Sequence, residues 1–165
     1  MRAAESGDDW HPQVRHLLYH WLRSCSTDGR LPTRQLLECP GLTDLLPHLW
    51  LLDVDRNPWR FRYRMAGAAF TSLIGCTVGD SWYDEVRPQA WSANRSRLIA
   101  TARDGMPTWR RGAAQQEADT YVSNDREIEN LMLPIASDGV TVDAILGITM
   151  PLQPVALADD TLVVQ

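Results

Sequence analysis

Apolar side chains recur at helical spacing in the segment that begins at Pro12, and polar residues such as His16 and His20 lie between them. The apolar positions are Val14, Leu17, Leu18, Trp21, Leu22 and Cys25. Because their spacing follows the helical period, they form one stripe along an amphipathic helix. We expect this helix to end near Asp28-Gly29, since a glycine after a short polar residue is typical of a helix stop.

Alternating polarity predicts an antiparallel hairpin formed by residues 47–55 and 60–67, with residues 56–59 as the loop. The predicted cross-strand pairs are Asp55 with Arg60, Val54 with Phe61, Asp53 with Arg62, Leu52 with Tyr63 and Trp50 with Met65, and His48 falls beside Gly67. Opposite charges then meet on one face, while apolar side chains and His48 share the other. A shift by one residue would bury the charges, so the pattern favours this register.

The rest of the chain predicts short helices, a longer helix and three strands. Residues 68–74 form a short helix, and residues 92–103 form a longer one with Ser92 as its N-cap and Asp104-Gly105 as its end. The predicted strands cover residues 107–117, 126–136 and 142–150, with a turn at Ser137-Asp138-Gly139 and with Val142, Ala144, Leu146, Ile148 and Met150 on one face.

This order of elements predicts a single α+β domain, which is the usual number for a chain of 165 residues. The predicted divisions are a flexible tail at residues 1–10, an N-terminal helix and connector at 11–46, a core at 47–152 and a second tail at 153–165.

All 16 basic residues are arginine, and the formal net charge is −5. Without lysine, Schiff-base catalysis and phosphate-loop nucleotide hydrolysis are excluded. The acidic balance argues against a nucleic-acid partner, which would require a basic face. The cysteines Cys25, Cys39 and Cys76 are widely separated, and no apolar stretch resembles a signal peptide or a membrane span. We therefore expect a cytoplasmic protein with reduced thiols and no membrane partner.

Several motifs, in this order along the chain, resemble the PAS domain family. They are Phe61-Arg62-Tyr63-Arg64-Met65-Ala66-Gly67, Leu73-Ile74-Gly75, Gly79-Asp80, Leu133-Pro134-Ile135, Asp138-Gly139 and Ile145-Leu146-Gly147-Ile148. The segment from Leu45 to Leu51, after a helix that ends around Trp21-Leu22, is similar to a bacterial branch of small stand-alone PAS-like proteins. The resemblance covers about residues 12–150. It implies a five-stranded antiparallel sheet with helices on one face, in addition to the N-terminal amphipathic helix.

The resemblance implies a sensory or regulatory role, because PAS domains hold a small molecule between sheet and helices or dock partner proteins. The histidine that haem-sensing PAS domains carry on the long helix is missing from residues 92–103. Cys76 lies in Gly75-Cys76-Thr77, which differs from the Asn-Cys-Arg run of flavin photosensors. Haem and flavin are therefore both disfavoured, and the cofactor is unknown.

In the PAS-like fold, the pocket would hold a small apolar ligand. We predict that it is lined by His48, Trp50, Tyr63, Met65, Phe70, Trp82 and Leu98. His48 and the Tyr63 hydroxyl would orient the ligand, although a core histidine bonded to a backbone carbonyl is the simpler interpretation of His48. Ordinary core packing is the simpler interpretation of the tryptophans around this pocket, Trp50, Trp82, Trp91 and Trp109.

The alternative function is a ligand-free module for protein–protein interaction and dimerisation, with a filled interior. Its surface would be the exposed apolar stripe of the N-terminal helix together with the outer sheet face. The predicted dimer contacts are Val14, Leu17, Leu18, Trp21 and Leu22. In either case we expect a homodimer that signals through an unidentified partner protein, because about fifteen residues follow Met150, too few for an effector domain.

Three other clusters are weighed as sites: the pair His16 and His20, interpreted as surface histidines, the row Arg60, Arg62 and Arg64, interpreted as a solvated or partner-facing surface, and the acidic group Asp125, Glu127 and Glu129. The histidines lack a third ligand, the arginines face aspartates across the hairpin, and the carboxylates lack a nucleophile. We therefore expect neither a metal site nor enzymatic activity.

Overall fold

Five strands form one antiparallel sheet: β1 (Leu49–Asp55), β2 (Arg60–Ala66), β3 (Thr108–Ala113), β4 (Glu127–Ile135) and β5 (Ala144–Pro151). The helices are α1 (Pro12–Ser24), α2 (Ala68–Ile74), α3 (Tyr83–Val86) and α4 (Pro88–Asp104), with 3₁₀ helices at Arg34–Glu38 and Pro40–His48. The computed structural model describes residues 9–113 and 127–152, and its strand order is β2-β1-β5-β4-β3. The predicted five-stranded α+β architecture is confirmed.

Both long helices have ends that differ from the predicted ones. α1 ends at Ser24, before the predicted Asp28-Gly29, because Cys25 is already extended at φ −68° and ψ 137°. α4 begins at Pro88, so Ser92 lies within the helix and is not its cap. Proline favours the first helical position because its φ is already helical and its missing N–H has no partner there. The predicted end of α4 is confirmed, since Gly105 adopts a left-handed φ of 62°.

The hairpin of β1 and β2 follows the predicted register from Asp55↔Arg60 to Leu52↔Tyr63. The register then shifts between Leu51 and Leu52, so that Leu51 pairs with Met65 and Trp50 pairs with Ala66. The predicted pairing of Trp50 with Met65 is therefore wrong. The shift is a β-bulge, which inserts one extra residue and reverses the face of every later side chain.

The sheet buries side chains on both faces. One face packs against α1 and the 3₁₀ helices, and its core includes Val14, Leu17, Trp21, Leu49, Leu51, Leu131, Leu133, Leu146 and Ile148. The other face packs against α2, α3 and α4, and its core includes Trp50, Leu52, Phe61, Tyr63, Phe70, Leu98, Met132, Val142 and Ile145. Alternate residues of the central strands thus enter different cores.

Two predictions about these faces need correction. The stripe of α1 covers this chain's own sheet, so the outer sheet face and most of the stripe are buried, and Leu22 is the stripe residue that stays largely exposed. Val142 precedes β5 and packs beside α4, away from Ala144 and Leu146. Residues 1–8 and 153–165 of the predicted tails, and residues 114–117 of the strand predicted at 107–117, lie outside the described residues, whereas Asp9 and Trp10 contact the sheet through Arg111 and Trp109.

Candidate functional site

A cavity of about 30 Å³ lies between the sheet and helices α2 and α4. This is room for roughly two or three water molecules, far below the roughly 300–1,000 Å³ of sites for drug-sized ligands. The apolar part of its wall consists of Trp50, Phe70, Leu73, Ile74, Ile128 and Met132. The polar part consists of Tyr83, Arg87, Asn94, Arg97, Arg110, Asn130 and Thr149.

Trp50 forms a fixed wall of this cavity. Its side chain is 3% exposed, and its indole Nε1 donates a hydrogen bond to Thr149 Oγ1 at 3.0 Å. The indole lies directly over Gly147 of β5, where a Cβ atom would come within 2.0 Å of the ring. The missing side chain of Gly147 therefore makes the space that Trp50 occupies. Phe70 of α2 continues the wall, with its ring centroid 5.9 Å from that of Trp50.

Arg97 of α4 is held in one orientation by four hydrogen bonds. Its Nε and Nη2 donate to Thr108 Oγ1 and O at 3.1 and 2.8 Å, and its Nη1 and Nη2 donate to Asn130 Oδ1 and O at 2.6 and 3.0 Å. Burial lowers the pKa of Arg97 to about 10, and the nearby charge of Arg110 contributes in the same direction. Arg97 therefore remains a cation at neutral pH.

Asn130 of β4 connects this arginine to the tryptophan wall. Its Nδ2 donates to Thr149 Oγ1 at 2.8 Å and to Ile148 O at 3.3 Å, so Thr149 accepts from both Asn130 and Trp50. Arg110 lies directly opposite Asn130 on β3, and its Nη2 donates to Ala113 O at 2.9 Å. Polar groups of α4 and of the four strands β1, β3, β4 and β5 thus converge on one wall.

Arg87, which precedes α4, lies at the inner end of the cavity and is 6% exposed. Its Nη1 donates to Tyr63 Oη at 3.1 Å and to Tyr83 Oη at 3.4 Å, and its guanidinium lies 5.6 Å from the Phe70 ring centroid. Burial raises the pKa of the Tyr63 hydroxyl well above its ordinary value, so Tyr63 stays protonated. Asn94 Nδ2 also donates to Tyr83 Oη, at 3.3 Å.

The electrostatic character of the cavity is positive. Three of its lining residues are arginines, and none of its described lining residues is an aspartate or glutamate. The described acceptors of two of them, Arg97 and Arg110, are neutral hydroxyl, amide and carbonyl oxygens. Partly buried cations that bond only to neutral acceptors are costly, so this cavity is suited to a negatively charged or strongly hydrogen-bonding occupant.

The predicted ligand residues divide into three groups. Trp50 and Phe70 line the cavity, as predicted. Tyr63 and Leu98 are buried in the same core but do not line the cavity; Tyr63 reaches it through its hydrogen bond to Arg87. Trp82 lies outside it, where its ring stacks under the Arg60 guanidinium at 4.1 Å. Whether any of them contacts a ligand stays a prediction.

His48 and Met65 lie away from the cavity, contrary to the prediction. The bulge turns Met65 toward the α1 side of the sheet, where it packs with Leu51. His48 ends a 3₁₀ helix instead of extending β1. Burial, together with the charge of the nearby His11, lowers the pKa of His48. The tryptophan cluster also divides, since Trp109 stacks on Trp10 at 4.9 Å on the α1 face.

The polar half of the wall was missed by the sequence analysis. Arg97 and Asn130 are 33 positions apart, and only the fold brings them together. Two signals were present in the sequence. Glu129 and Asn130 are polar residues at the start of an otherwise apolar strand, and Arg97 and Thr101 share the face of α4 that carries Leu98.

The α1 face contains its own buried charge, Glu129, which is 0% exposed. Its carboxylate accepts from His11 N at 2.9 and 3.0 Å, from Trp109 Nε1 at 3.1 Å and from Arg111 Nη2 at 3.1 Å. Arg111 Nη2 also donates to Asp9 O at 2.6 Å. We call these five residues, Asp9, His11, Trp109, Arg111 and Glu129, the Glu129 cluster. The cluster attaches the start of α1 to the sheet.

The predicted dimer contacts on α1 are mostly buried within the chain. Val14, Leu17 and Trp21 are at most 5% exposed, and Trp21 Nε1 donates to Pro134 O at 2.9 Å. Leu18 is partly buried in the same core, and Leu22 is 55% exposed. Dimerisation through α1 stays a prediction, and Leu22 is the contact that remains available for it.

The other predicted surface clusters have local partners. His16 Nε2 lies 2.8 Å from Gly41 O, and His20 Nδ1 lies 3.6 Å from Cys39 Sγ. Within residues 9–113 and 127–152, no group of three or more histidine, cysteine or acidic side chains is placed to hold a metal ion. In the same ranges, no helix combines the length and apolar character needed to cross a bilayer. Asp125 lies outside the described residues.

A sequence model described as a PAS domain matches residues 10–150. The PAS domain from Bordetella pertussis BvgS is similar in structure, with 16% identity and a TM-score of 0.53 over 74% of this chain and 89% of that one. No curated protein matches the sequence.

Two further solved structures are more distant. A sensory box sensor histidine kinase from Vibrio cholerae has 15% identity and a TM-score of 0.45, over 73% of this chain and 89% of that one. A Rhodobacter sphaeroides LOV protein has 19% identity and a TM-score of 0.43, over 66% and 60% of the two chains. At these identities a structural likeness shows the fold alone.

Proposed function

Since the chain belongs to the PAS domain family, whose members are generally sensory and signalling modules, we propose that it senses a small molecule in the cavity beside α4. The observation that carries this proposal is the cavity wall itself. Arg97, Asn130, Thr149 and Trp50 form one hydrogen-bonded chain along it. A polar network of this kind in the middle of an apolar core is typical of a site that orients a ligand.

The proposed output runs through β4 to α1. Asn130 faces the cavity, and its neighbour Glu129 belongs to the cluster that holds the start of α1. A ligand that shifts Asn130 would therefore also shift the attachment point of α1. Because α1 covers the outer sheet face, its displacement would expose apolar surface to a partner protein or a second copy. We propose this binding role in place of a catalytic one.

Native mass spectrometry of the purified chain, followed by a denaturing spectrum, tests the sensory function. We expect a retained mass that is lost on denaturation, or a raised melting temperature with at least one compound from a panel of small anionic and neutral organic molecules. A chain with no retained mass and an unchanged melting temperature across the panel would contradict small-molecule sensing.

A ligand-free interaction module is the second candidate, and the small cavity volume of about 30 Å³ favours it. On this proposal the exposed Leu22 and Tyr19, which are 55% and 53% exposed, belong to the contact surface. The same native spectrum discriminates the two functions. A dimer without retained small-molecule mass, together with a melting temperature that no compound of the panel changes, supports the interaction module.

A further inference from the structure

Most arginines of this chain that form ion pairs do so at the surface. Arg34 and Arg64 bind Asp53, Arg60 binds Asp84, and Arg62 binds Asp80. Pairing of this kind is expected in a chain with 21 acidic and 16 basic residues. Exposed arginines such as Arg15 and Arg95 need no such partner, because water solvates them. A partly buried arginine that lines a cavity without a carboxylate is an exception that needs a physical reason.

Arg97 and Arg110 are such exceptions. Among the described residues, neither forms a salt bridge, and no described residue that lines the cavity carries a negative charge. The two guanidinium groups lie close enough that Arg110 contributes to the lowered pKa of Arg97. Two neighbouring cations therefore repel each other in a partly buried site, and a bound anion would remove this cost.

From this arrangement we propose that the cavity binds a small organic carboxylate, with Arg110 and Arg97 facing its negative end. The proposal rests on the sensory function given above and names its ligand class. It replaces the apolar ligand expected from the sequence, because the wall that the sequence analysis missed is cationic. A guanidinium matches a carboxylate through two parallel hydrogen bonds, which an apolar or neutral molecule cannot form.

The two arginines have different tasks in this site. Arg97 is fixed by four hydrogen bonds to Thr108 and Asn130, so it supplies a preorganised charge. Arg110 is partly exposed on β3 and has one described hydrogen bond, to Ala113 O. It therefore keeps donors for a ligand and is accessible from solvent. We assign Arg110 as the principal contact for the carboxylate.

The opposite wall limits the size and the tail of the ligand. Trp50 and Phe70 would contact a short apolar or carbonyl-bearing end. Space for roughly two or three waters limits the ligand to the smallest organic carboxylates. Acetate and pyruvate have this size and charge, and they are suitable probes of the class.

Isothermal titration of the dialysed protein with sodium acetate and sodium pyruvate tests the proposal. Chloride keeps the ionic strength constant, and acetamide serves as the neutral molecule of the same shape as acetate. We expect saturable binding of at least one carboxylate, with acetamide at least about tenfold weaker. Equal binding of acetate and acetamide would overturn the carboxylate assignment while leaving small-molecule sensing intact.

Matched variants locate the binding. Arg110→Gln removes the principal contact, and Arg95→Gln removes one charge from an exposed position on α4 outside the cavity. We expect the dissociation constant to rise at least about tenfold in the first variant and to change less than about twofold in the second. Equal losses in both variants would show general charge attraction and overturn the site.

Two controls separate the remaining outcomes. Circular dichroism reports whether Arg110→Gln is folded, and Arg110→Lys, which keeps the charge but loses the planar fork, gives a second variant with an expected intermediate affinity. If the folded wild type binds no probe, the carboxylate proposal fails. If it also retains no additional mass in the native spectrum and no compound of the panel raises its melting temperature, the sensory function fails as well.

Discussion

Glu129 and Asn130 are neighbours on β4, yet their side chains enter opposite faces of the sheet and meet different surroundings. The Glu129 carboxylate is 0% exposed and accepts hydrogen bonds from His11, Trp109 and Arg111, so its charge is matched. The Asn130 amide accepts from Arg97 and lies opposite Arg110, and no described carboxylate balances these two cations.

The difference separates a structural contact from a binding site. A buried charge with a full set of opposite partners gains nothing from a ligand, and it is costly to disrupt. Partly buried cations that are satisfied only by neutral acceptors retain a favourable interaction for an incoming anion. Burial of polar groups alone would not have distinguished the two faces, whereas the balance of charge does.

The largest expected effect is on the α1 face of the sheet, where the charge of Glu129 is matched by Arg111. Glu129→Ala leaves the His11 and Trp109 N–H groups and the Arg111 guanidinium without their acceptor. We expect the free energy of unfolding to fall by about 3 kcal/mol, measured by urea denaturation. The control is Glu127→Ala on the same strand, where the side chain is exposed and the expected change is within about 0.5 kcal/mol. Similar small losses for both would show that the Glu129 cluster is not the anchor of α1.

A smaller destabilisation is expected from filling the space beneath the cavity wall. Gly147→Ala places a methyl group within 2.0 Å of the Trp50 indole, so the ring must move into the cavity. We expect a loss of about 2 kcal/mol in unfolding free energy and a marked loss of probe binding. Gly112→Ala is the matched control for stability alone, because the nearest atom to its Cβ, the Arg110 Cζ, lies at 4.0 Å, which is an ordinary contact. Unchanged binding in Gly147→Ala would mean that Trp50 does not shape the site.

Asn130→Asp gives the cavity face a carboxylate of its own, as Glu129 gives one to the α1 face. The new carboxylate would pair with Arg97 and Arg110, while the hydrogen bond to Ile148 O would be lost. These effects oppose each other, so we expect less than about 1 kcal/mol change in unfolding free energy. Acetate affinity, measured by titration, should fall more than about tenfold because the site then carries its own anion. Retained affinity would contradict the proposed charge balance.

The smallest effect is expected from charges paired at the surface. Burial alone would raise the pKa of Asp53, but hydrogen bonds from Arg64 and Arg34 outweigh it and hold the pKa below its ordinary value. The stabilisation from Asp53 is therefore present above the pKa of an unfolded aspartate, about 3.9, and is lost as the pH falls through the lower folded value.

Urea midpoints measured between pH 6 and pH 2 test this contribution. Asp53→Asn should have a shallower decline on the acid side than the wild type, whereas Asp44→Asn, at an exposed position, should follow the wild-type curve. Identical acid profiles for Asp53→Asn and the wild type would show that the pairing adds nothing to stability.

The sequence was sufficient for features that depend on local periodicity and on neighbouring charges. The hairpin register followed from Asp55 facing Arg60 and Asp53 facing Arg62, and the structure confirms both pairs. The bulge at the register shift between Leu51 and Leu52 was not predictable, because polar and apolar residues keep alternating along β2 opposite it. This single extra residue moved Met65 to the other face.

The polar wall of the cavity depended on contacts between distant parts of the chain. Arg97 and Asn130 meet only once α4 has packed on the sheet, and neither residue has a sequence neighbour that indicates the other. The α1 stripe was predicted correctly as an amphipathic pattern. Its periodicity could not show whether the apolar side faces this chain's sheet or a partner.

The hydrogen bond from Trp21 to Pro134 also bears on how the protein avoids aggregation. β3 begins at Thr108, which lies opposite Met132 of β4. Among the described residues, the last residues of β4 therefore have no neighbouring strand on the β3 side. An unpaired strand edge is a template for strands of other molecules. Here Pro134 has no N–H to offer, its carbonyl is occupied by Trp21, and the Ala136 N–H donates to Pro32 O at 3.0 Å. The attachment of α1 therefore closes an edge to which another chain would otherwise add.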